Sequence, residues 1–253
     1  MLIDTHAHLD FPEFDTDRQP LLAQMRQAGI GGAIIPAADP ACWPRVREVA
    51  RQTGCHYALG VHPWWVTPEH CAHHLQQLAE MLSEQKDDPR LVAIGETGLD
   101  SLKGPTLDVQ LASLRGHIEL AIQYDLPLIL HCVKAQRPLL ELLAQYPGCR
   151  GVIHGFGGSL ETARQFAGLG FLIGIGAAVL NTNMKKLRHC VANMEIASLL
   201  PETDSPAMAP KGISRNTPLI MLQVVEEIAR LRQVDVVQLK EQLFRNVTQL
   251  FDV

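Results

Sequence analysis

The chain opens Met1-Leu2-Ile3-Asp4-Thr5-His6-Ala7-His8-Leu9-Asp10. A short apolar run ends in two histidines one residue apart. Along a strand, side chains at i and i+2 point to the same face, so a strand over Leu2–His6 aims His6 and His8 at one point. Neutral imidazole is a ligand for zinc and other borderline divalent ions. Two histidines alone are weak evidence. The reading is decided by recurrence, because downstream His, Glu and Asp stand at the C-terminal ends of further short apolar runs.

Eight such runs can be marked: Leu2–His6, Ala33–Pro36, Tyr57–His62, Leu91–Glu96, Pro127–His131, Gly151–His154, Phe171–Ile175 and Ile196–Thr203. Most are nearly continuous in apolar residues, as parallel strands buried on both faces require. Helical patterns lie between them, at Arg18–Ala28, Arg45–Thr53, Ala72–Ser83, Leu107–Tyr124, Pro138–Gln145, Leu160–Gly168 and Pro218–Leu231. Asp235 reads as the N-cap of a last helix ending near Phe251. Strand–helix alternation without a composition break predicts an α/β fold, a single (β/α)8 TIM barrel spanning residues 1–253. The competing fold, an open doubly wound sheet, usually carries a GxGxxG turn after an early strand, and none follows the first strand here. The Pro-, Ser- and Gly-rich stretch from Pro201 to Pro218 reads as a long loop over the site.

Composition agrees with a globular barrel. The 253 residues are 47% hydrophobic and 19% charged, enough for a large core and of the usual size for such a barrel. The net charge of −5 advertises no global affinity for nucleic acid, so such a partner needs a local patch or a metal. Six scattered cysteines form no CxxC pair, which argues against a thiolate zinc site and for free thiols in a reducing cytoplasm. The N-terminus lacks the pattern of a signal peptide, and no apolar run is long enough to span a bilayer.

In a barrel all strand C-termini surround one mouth. Residues there are His6, His8, His62, Glu96, His131, His154 and Asp204. Four histidines, a glutamate and an aspartate can hold two divalent ions, with the two oxygens of Glu96 shared between them. Asp204 is placed to accept the proton of an attacking water. His62 has three readings: a substrate contact, a group that orients a ligand, or a strand cap. The glycines at 95, 98, 155, 157 and 158 are read as leaving room for substrate beside Glu96 and His154. Trp64-Trp65 is either a hydrophobic plug or a platform on which a base stacks. The remaining histidines, among them His117, fall in helical or loop patterns and read as structural or surface groups.

Taken together, Asp4-Thr5-His6-Ala7-His8-Leu9-Asp10, Gly60-Val61-His62-Pro63, Ile94-Gly95-Glu96-Thr97-Gly98-Leu99-Asp100, Pro127–His131, His154-Gly155-Phe156-Gly157-Gly158-Ser159 and Glu202-Thr203-Asp204-Ser205-Pro206 resemble the motifs of the TatD-type metal-dependent deoxyribonucleases, within the amidohydrolase superfamily. The resemblance runs to the C-terminal Arg245–Phe251. It implies a barrel with two divalent metals, one held by His6, His8, Glu96 and Asp204 and the other by Glu96, His131 and His154. It implies hydrolysis of phosphodiesters in DNA, in several members as exonucleases. The substrate shell departs from the family pattern: Val133 stands at the usual arginine, Gly155 at the usual cysteine, Ser101 at a common aromatic, and Thr217 at a common glutamate.

The expected activity is therefore metal-dependent hydrolysis of DNA or another phosphoester, with Asp204 and Glu96 catalytic and Lys134 and Arg215 as candidate phosphate contacts beside His62. Zn, Mn, Ni, Fe or Mg all suit the donor set, and the oligomeric state, a monomer included, is left open. Two rivals differ in class. One is a hydrolase of C–N or C–O bonds in a small molecule. The other is a barrel that keeps a structural metal and serves as an interaction module, against which stands the closed four-ligand cage normal for structural zinc.

Overall fold

The computed structural model describes all residues, 1–253. Eight parallel strands follow one another in sheet order: β1 Leu2–Asp4, β2 Ile30–Pro36, β3 His56–Leu59, β4 Leu91–Asp100, β5 Leu128–Val133, β6 Gly151–Ile153, β7 Phe171–Ile175 and β8 Leu199–Pro201. Each is followed by a helix: α1 Arg18–Gln27, α2 Trp43–Thr53, α3 Cys71–Gln85, α4 Leu107–Gln123, α5 Gln136–Leu143, α6 Leu160–Gly168, α7 Lys185–Asn193 and α8 Met221–Arg232, with α9 Val236–Phe251 closing the chain. This is the (β/α)8 barrel that the alternation predicts. No helix is long and apolar enough to cross a membrane. All six cysteines are free thiols.

The seam between the first and last strands is joined beyond their regular ends. Thr5 N donates to Pro201 O at 3.1 Å, Asp204 N to His6 O at 2.8 Å, and His8 N to Ser205 O at 2.8 Å. Ala7 and Ser205 form an isolated parallel bridge. Buried Asp4 fastens the same seam, accepting from the Thr203 hydroxyl at 2.6 Å and from Thr203 N at 3.0 Å. The seam thus joins the segment carrying His6 and His8 to the one carrying Asp204.

Two layers of apolar side chains follow from strand alternation. One set faces the helices. The other gathers Ile3, Ile34, Ala58, Ile129, Val152 and Leu200 from six strands with Val247, Leu250 and Phe251 of α9. The apolar face of α9 therefore plugs the barrel at the end opposite the mouth. Asp235 caps this helix, accepting from Val237 N at 2.9 Å and Gln238 N at 3.0 Å. Asn246 ties α9 to the last strand through Leu199 O at 2.8 Å.

Element boundaries differ from the sequence reading in ways with physical causes. β1 stops at Asp4, because the chain bends to meet the β8 side, so His6 and His8 lie on a bent extension rather than on a strand. β3 ends at Leu59 and β8 at Pro201, while β2 starts earlier, at Ile30. β4 runs past Glu96 to Asp100, because Gly98 (φ +139°) packs against the backbone of β5. A Cβ at Gly98 would lie 2.1 Å from His131 O, and one at Gly95 would lie 2.7 Å from Ile129 O. These two glycines let β4 and β5 approach and do not open space for substrate. Trp43 and Pro44 begin α2 two residues before the expected start, Pro at the first turn being well tolerated. Helix α7, with Leu187, Cys190 and Val191 buried along one side, fills an interval where the sequence pattern predicts no helix.

Candidate metal centre

At the barrel mouth the strand ends bring together His6, His8, His62, Glu96, His131, His154 and Asp204. Glu96 sits at the centre and is buried, 3% exposed. Its two oxygens face different partners. Oε2 lies 3.2 Å from His6 Nε2 and 3.7 Å from His8 Nε2. Oε1 lies 2.8 Å from His154 Nε2, 3.2 Å from His131 Nδ1 and 3.2 Å from His62 Nε2. Asp204 Oδ1 joins the first side, 3.5 Å from both His6 Nε2 and His8 Nε2. Asp204 reaches this position from a left-handed backbone (φ +57°), which Asp tolerates better than most residues.

The donor chemistry fits a divalent cation. His6 Nε2 and His8 Nε2 are 3.3 Å apart, and His131 Nδ1 and His154 Nε2 are 3.2 Å apart. Lone pairs on such nitrogens repel unless a proton or a cation lies between them. Two groups, His6/His8/Glu96 and His62/Glu96/His131, each hold their ligand atoms within 4.8 Å of one another, as does His6/His154/Glu202. Nitrogen donors mixed with carboxylate oxygen suit Zn, Mn, Fe or Ni.

The electrostatics show how strongly the buried carboxylates demand positive charge. Burial works to raise the Glu96 carboxyl, yet the charges of His154, His62 and His6 hold it well below the usual range. Burial also opposes ionisation of Asp204, but the hydrogen bond from His8 and the charges of His6 and His154 keep it below its ordinary value. Burial disfavours a charged His154, but the Glu96 charge and hydrogen bond carry its pKa up to about 10. Burial and the neighbouring His154 charge push His6 down to about 4. A divalent cation here would supply the charge otherwise drawn from protonated imidazole.

Supporting groups that the sequence reading did not single out hold this cluster. Asp100 Oδ2 lies 3.3 Å from His131 Nε2, which leaves Nδ1 as the atom facing Glu96. The Asp100 backbone is gripped by Gln110, whose side chain accepts from Asp100 N at 2.7 Å and donates to Asp100 O at 2.9 Å. Glu202 is fully buried and accepts from Gly155 N at 2.5 Å, and burial raises its carboxyl to about 8. Gly174 makes room for it, since a Cβ there would lie 2.2 Å from Glu202 Oε2. The available signals were position in the sequence: Asp100 ends the β4 motif, and Glu202 precedes Asp204 by two.

The residues expected around the metals divide. His62 faces Glu96 and also accepts from Trp64 N at 3.2 Å through Nδ1, so it caps the turn and enters the cluster. Lys134 lies exposed on the turn after β5. Arg215 is not brought to the centre. Its guanidinium pairs with Asp17, donates to Glu13 O and lies over the Phe14 ring. Trp64 and Trp65 are 41% and 54% exposed, which removes the plug reading.

Comparison with known proteins agrees with the barrel fold and with dependence on a metal. The family model described as TatD related DNase matches residues 3–252. An Escherichia coli K12 protein named uncharacterized metal-dependent hydrolase YjjV is 36% identical over 99% of this chain and 98% of its own length. The crystal structure of that TatD homolog superposes with a TM-score of 0.91, covering 100% of this chain and 98% of the other. Human deoxyribonuclease TATDN3 is 27% identical over 99% of this chain and 94% of its own length. The chain belongs to the TatD-related DNase family of metal-dependent hydrolases.

Proposed function

We propose that this protein is a phosphoester hydrolase of the deoxyribonuclease type, dependent on two divalent ions, with residues 1–253 as one catalytic barrel domain. The observation that carries the reading is the division of Glu96, one oxygen toward His6 and His8 and the other toward His131 and His154. His6, His8, Glu96 and Asp204 would hold one ion, and Glu96, His131 and His154 the other. Zn, Mn, Mg or Ni suit the set. Bound divalent ions supply Lewis acidity, lowering the pKa of water and offsetting charge on phosphoryl oxygens. The name of the human relative supports a nucleic-acid substrate.

The chain's own groups do the rest. Asp204, ionised and partly open at the mouth, accepts the proton of the water that attacks phosphorus. Asp100 orients His131, and the seam bonds from Asp204 N and Ser205 O hold His6 and His8 beside that base. Burial takes Glu96 out of bulk water, so its charge is less screened and acts more strongly on its neighbours. The free thiols agree with a cytoplasmic location. The test is turnover of metal-loaded protein against a DNA oligonucleotide, a phosphomonoester and a panel of cyclic amides and lactones. Metal-dependent cleavage of the phosphoesters is expected. Activity confined to the amides or lactones would assign the other reaction class of the superfamily.

A further inference from the structure

Beside the metal centre stands a feature that the hydrolytic machinery does not use. Trp64 is 41% exposed, whereas Trp43 is buried with its indole nitrogen bonded to Gly60 O at 3.0 Å. Trp64 is nevertheless fixed. Its Nε1–H donates to Asp100 Oδ2 at 2.7 Å, and its ring lies edge-on to His62, centroids 4.7 Å apart. Lys103 places its ammonium 3.4 Å from the Trp64 ring centroid and makes no ion pair. The same Asp100 holds both groups, since its Oδ1 accepts from Leu102 N at 2.8 Å and Lys103 N at 3.1 Å. It also touches His131, whose ring is 6.0 Å from that of Trp64.

We propose that Trp64 and Lys103 form a substrate subsite at the barrel mouth that takes an unpaired nucleobase and its adjoining phosphate. The proposal rests on the phosphoester reading of the neighbouring centre. A half-exposed, immobilised indole presents a flat apolar face at little entropic cost, the property that makes aromatic residues stacking platforms for single strands. A base within a duplex has no free face, so the occupant is a single-stranded end. On binding, the base replaces the ammonium on the indole, and Lys103 moves to the phosphate. A cation–π contact is thereby exchanged for a charge pair. Of the two cations expected to contact phosphate, Arg215 is already paired with Asp17 and Lys134 lies exposed on the turn after β5, whereas Lys103 lies against Trp64 without a competing carboxylate. One carboxylate orients the platform, the cation's loop and His131, so the stacked base and the reacting centre are held in register.

The test is binding by fluorescence anisotropy, using metal-loaded protein and a labelled single-stranded oligonucleotide, its counterpart with abasic terminal residues, and the blunt duplex. Wild-type protein is expected to prefer the intact single strand to both others. Trp64→Ala is expected to weaken intact-strand binding by about tenfold or more. It should have far less effect on the abasic strand, so that base and indole are not additive. Trp64→Phe, which keeps a ring, should recover most of the affinity. Lys103→Met should reduce the dependence of binding on salt. Metal content measured on every variant excludes an indirect effect through His131. Equal losses on intact and abasic strands, or binding by Trp64→Ala and Lys103→Met within about twofold of wild type, would overturn the subsite. Cleavage of bis(p-nitrophenyl) phosphate by the wild type is measured alongside. Cleavage without base-dependent binding removes the subsite and keeps the reaction class; base-dependent binding without cleavage does the reverse.

Discussion

His117 should make the protein sensitive to mild acid, and the structure gives the size of the effect. The side chain is 0% exposed on α4. Its Nδ1 lies 2.8 Å from Ser113 O, and its Nε2 accepts from Val61 N at 3.1 Å. This arrangement needs the neutral imidazole with the proton on Nδ1; a second proton on Nε2 would point at the Val61 N–H. Burial accordingly lowers the pKa from 6.5 to about 4. The folded pKa is depressed, so below pH 6.5 the unfolded chain takes up a proton that the folded chain refuses. The stabilisation is complete above that value, declines as pH falls, and levels off below about 4. At about 1.4 kcal/mol per pH unit, going from about pH 6.5 to about pH 5 costs about 2 kcal/mol through this one group. Other histidines also titrate, so the informative quantity is the difference from His117→Gln, which keeps an acceptor for Val61 but does not ionise. Urea unfolding at about pH 7 and about pH 5 should show wild type losing about 2 kcal/mol more than the variant. Equal losses in the two proteins would refute the buried neutral tautomer, and with it the anchoring of the turn that carries His62.

Two further outcomes are expected. Asp204→Asn keeps an oxygen donor of similar size but removes the base, so kcat should fall by about 10²–10⁴-fold while most of the metal is retained; near-wild-type turnover at full metal content would assign the proton to another acceptor. Gly98→Ala places a Cβ 2.1 Å from His131 O at φ +139°, so it should destabilise by about 3 kcal/mol or more in denaturant unfolding; a near-neutral variant would contradict the close packing of β4 on β5.

The barrel is legible because each buried parallel strand reads as a short apolar run, and six of the eight runs lead into a His, Glu or Asp of the candidate site. Phe171–Ile175 and Leu160–Gly168 were located to the residue. Where strands stop was less legible, because an apolar run records burial and not the ladder. His6 and His8 are buried like strand residues but hang from cross-seam bonds to a segment at the other end of the chain, His6 O accepting from Asp204 N and His8 N donating to Ser205 O. The space that the sequence suggests at Gly95 and Gly98 is filled for the same reason, their tight neighbours lying on β5. Arg215 could be named as a cation from its loop, but its pairing with Asp17 at the other end of the chain is a tertiary fact. Nothing local in the sequence marks Lys103; only folding sets it over Trp64.

The central claim is that one carboxylate, Glu96, serves two divalent ions at once. Anomalous diffraction from crystals soaked in manganese or zinc tests it most directly. The account predicts two peaks in the barrel mouth, one beside His6, His8 and Asp204 and one beside His131 and His154, each in contact with a different oxygen of Glu96. A single peak at saturating metal, or two peaks of which only one touches Glu96, would contradict it.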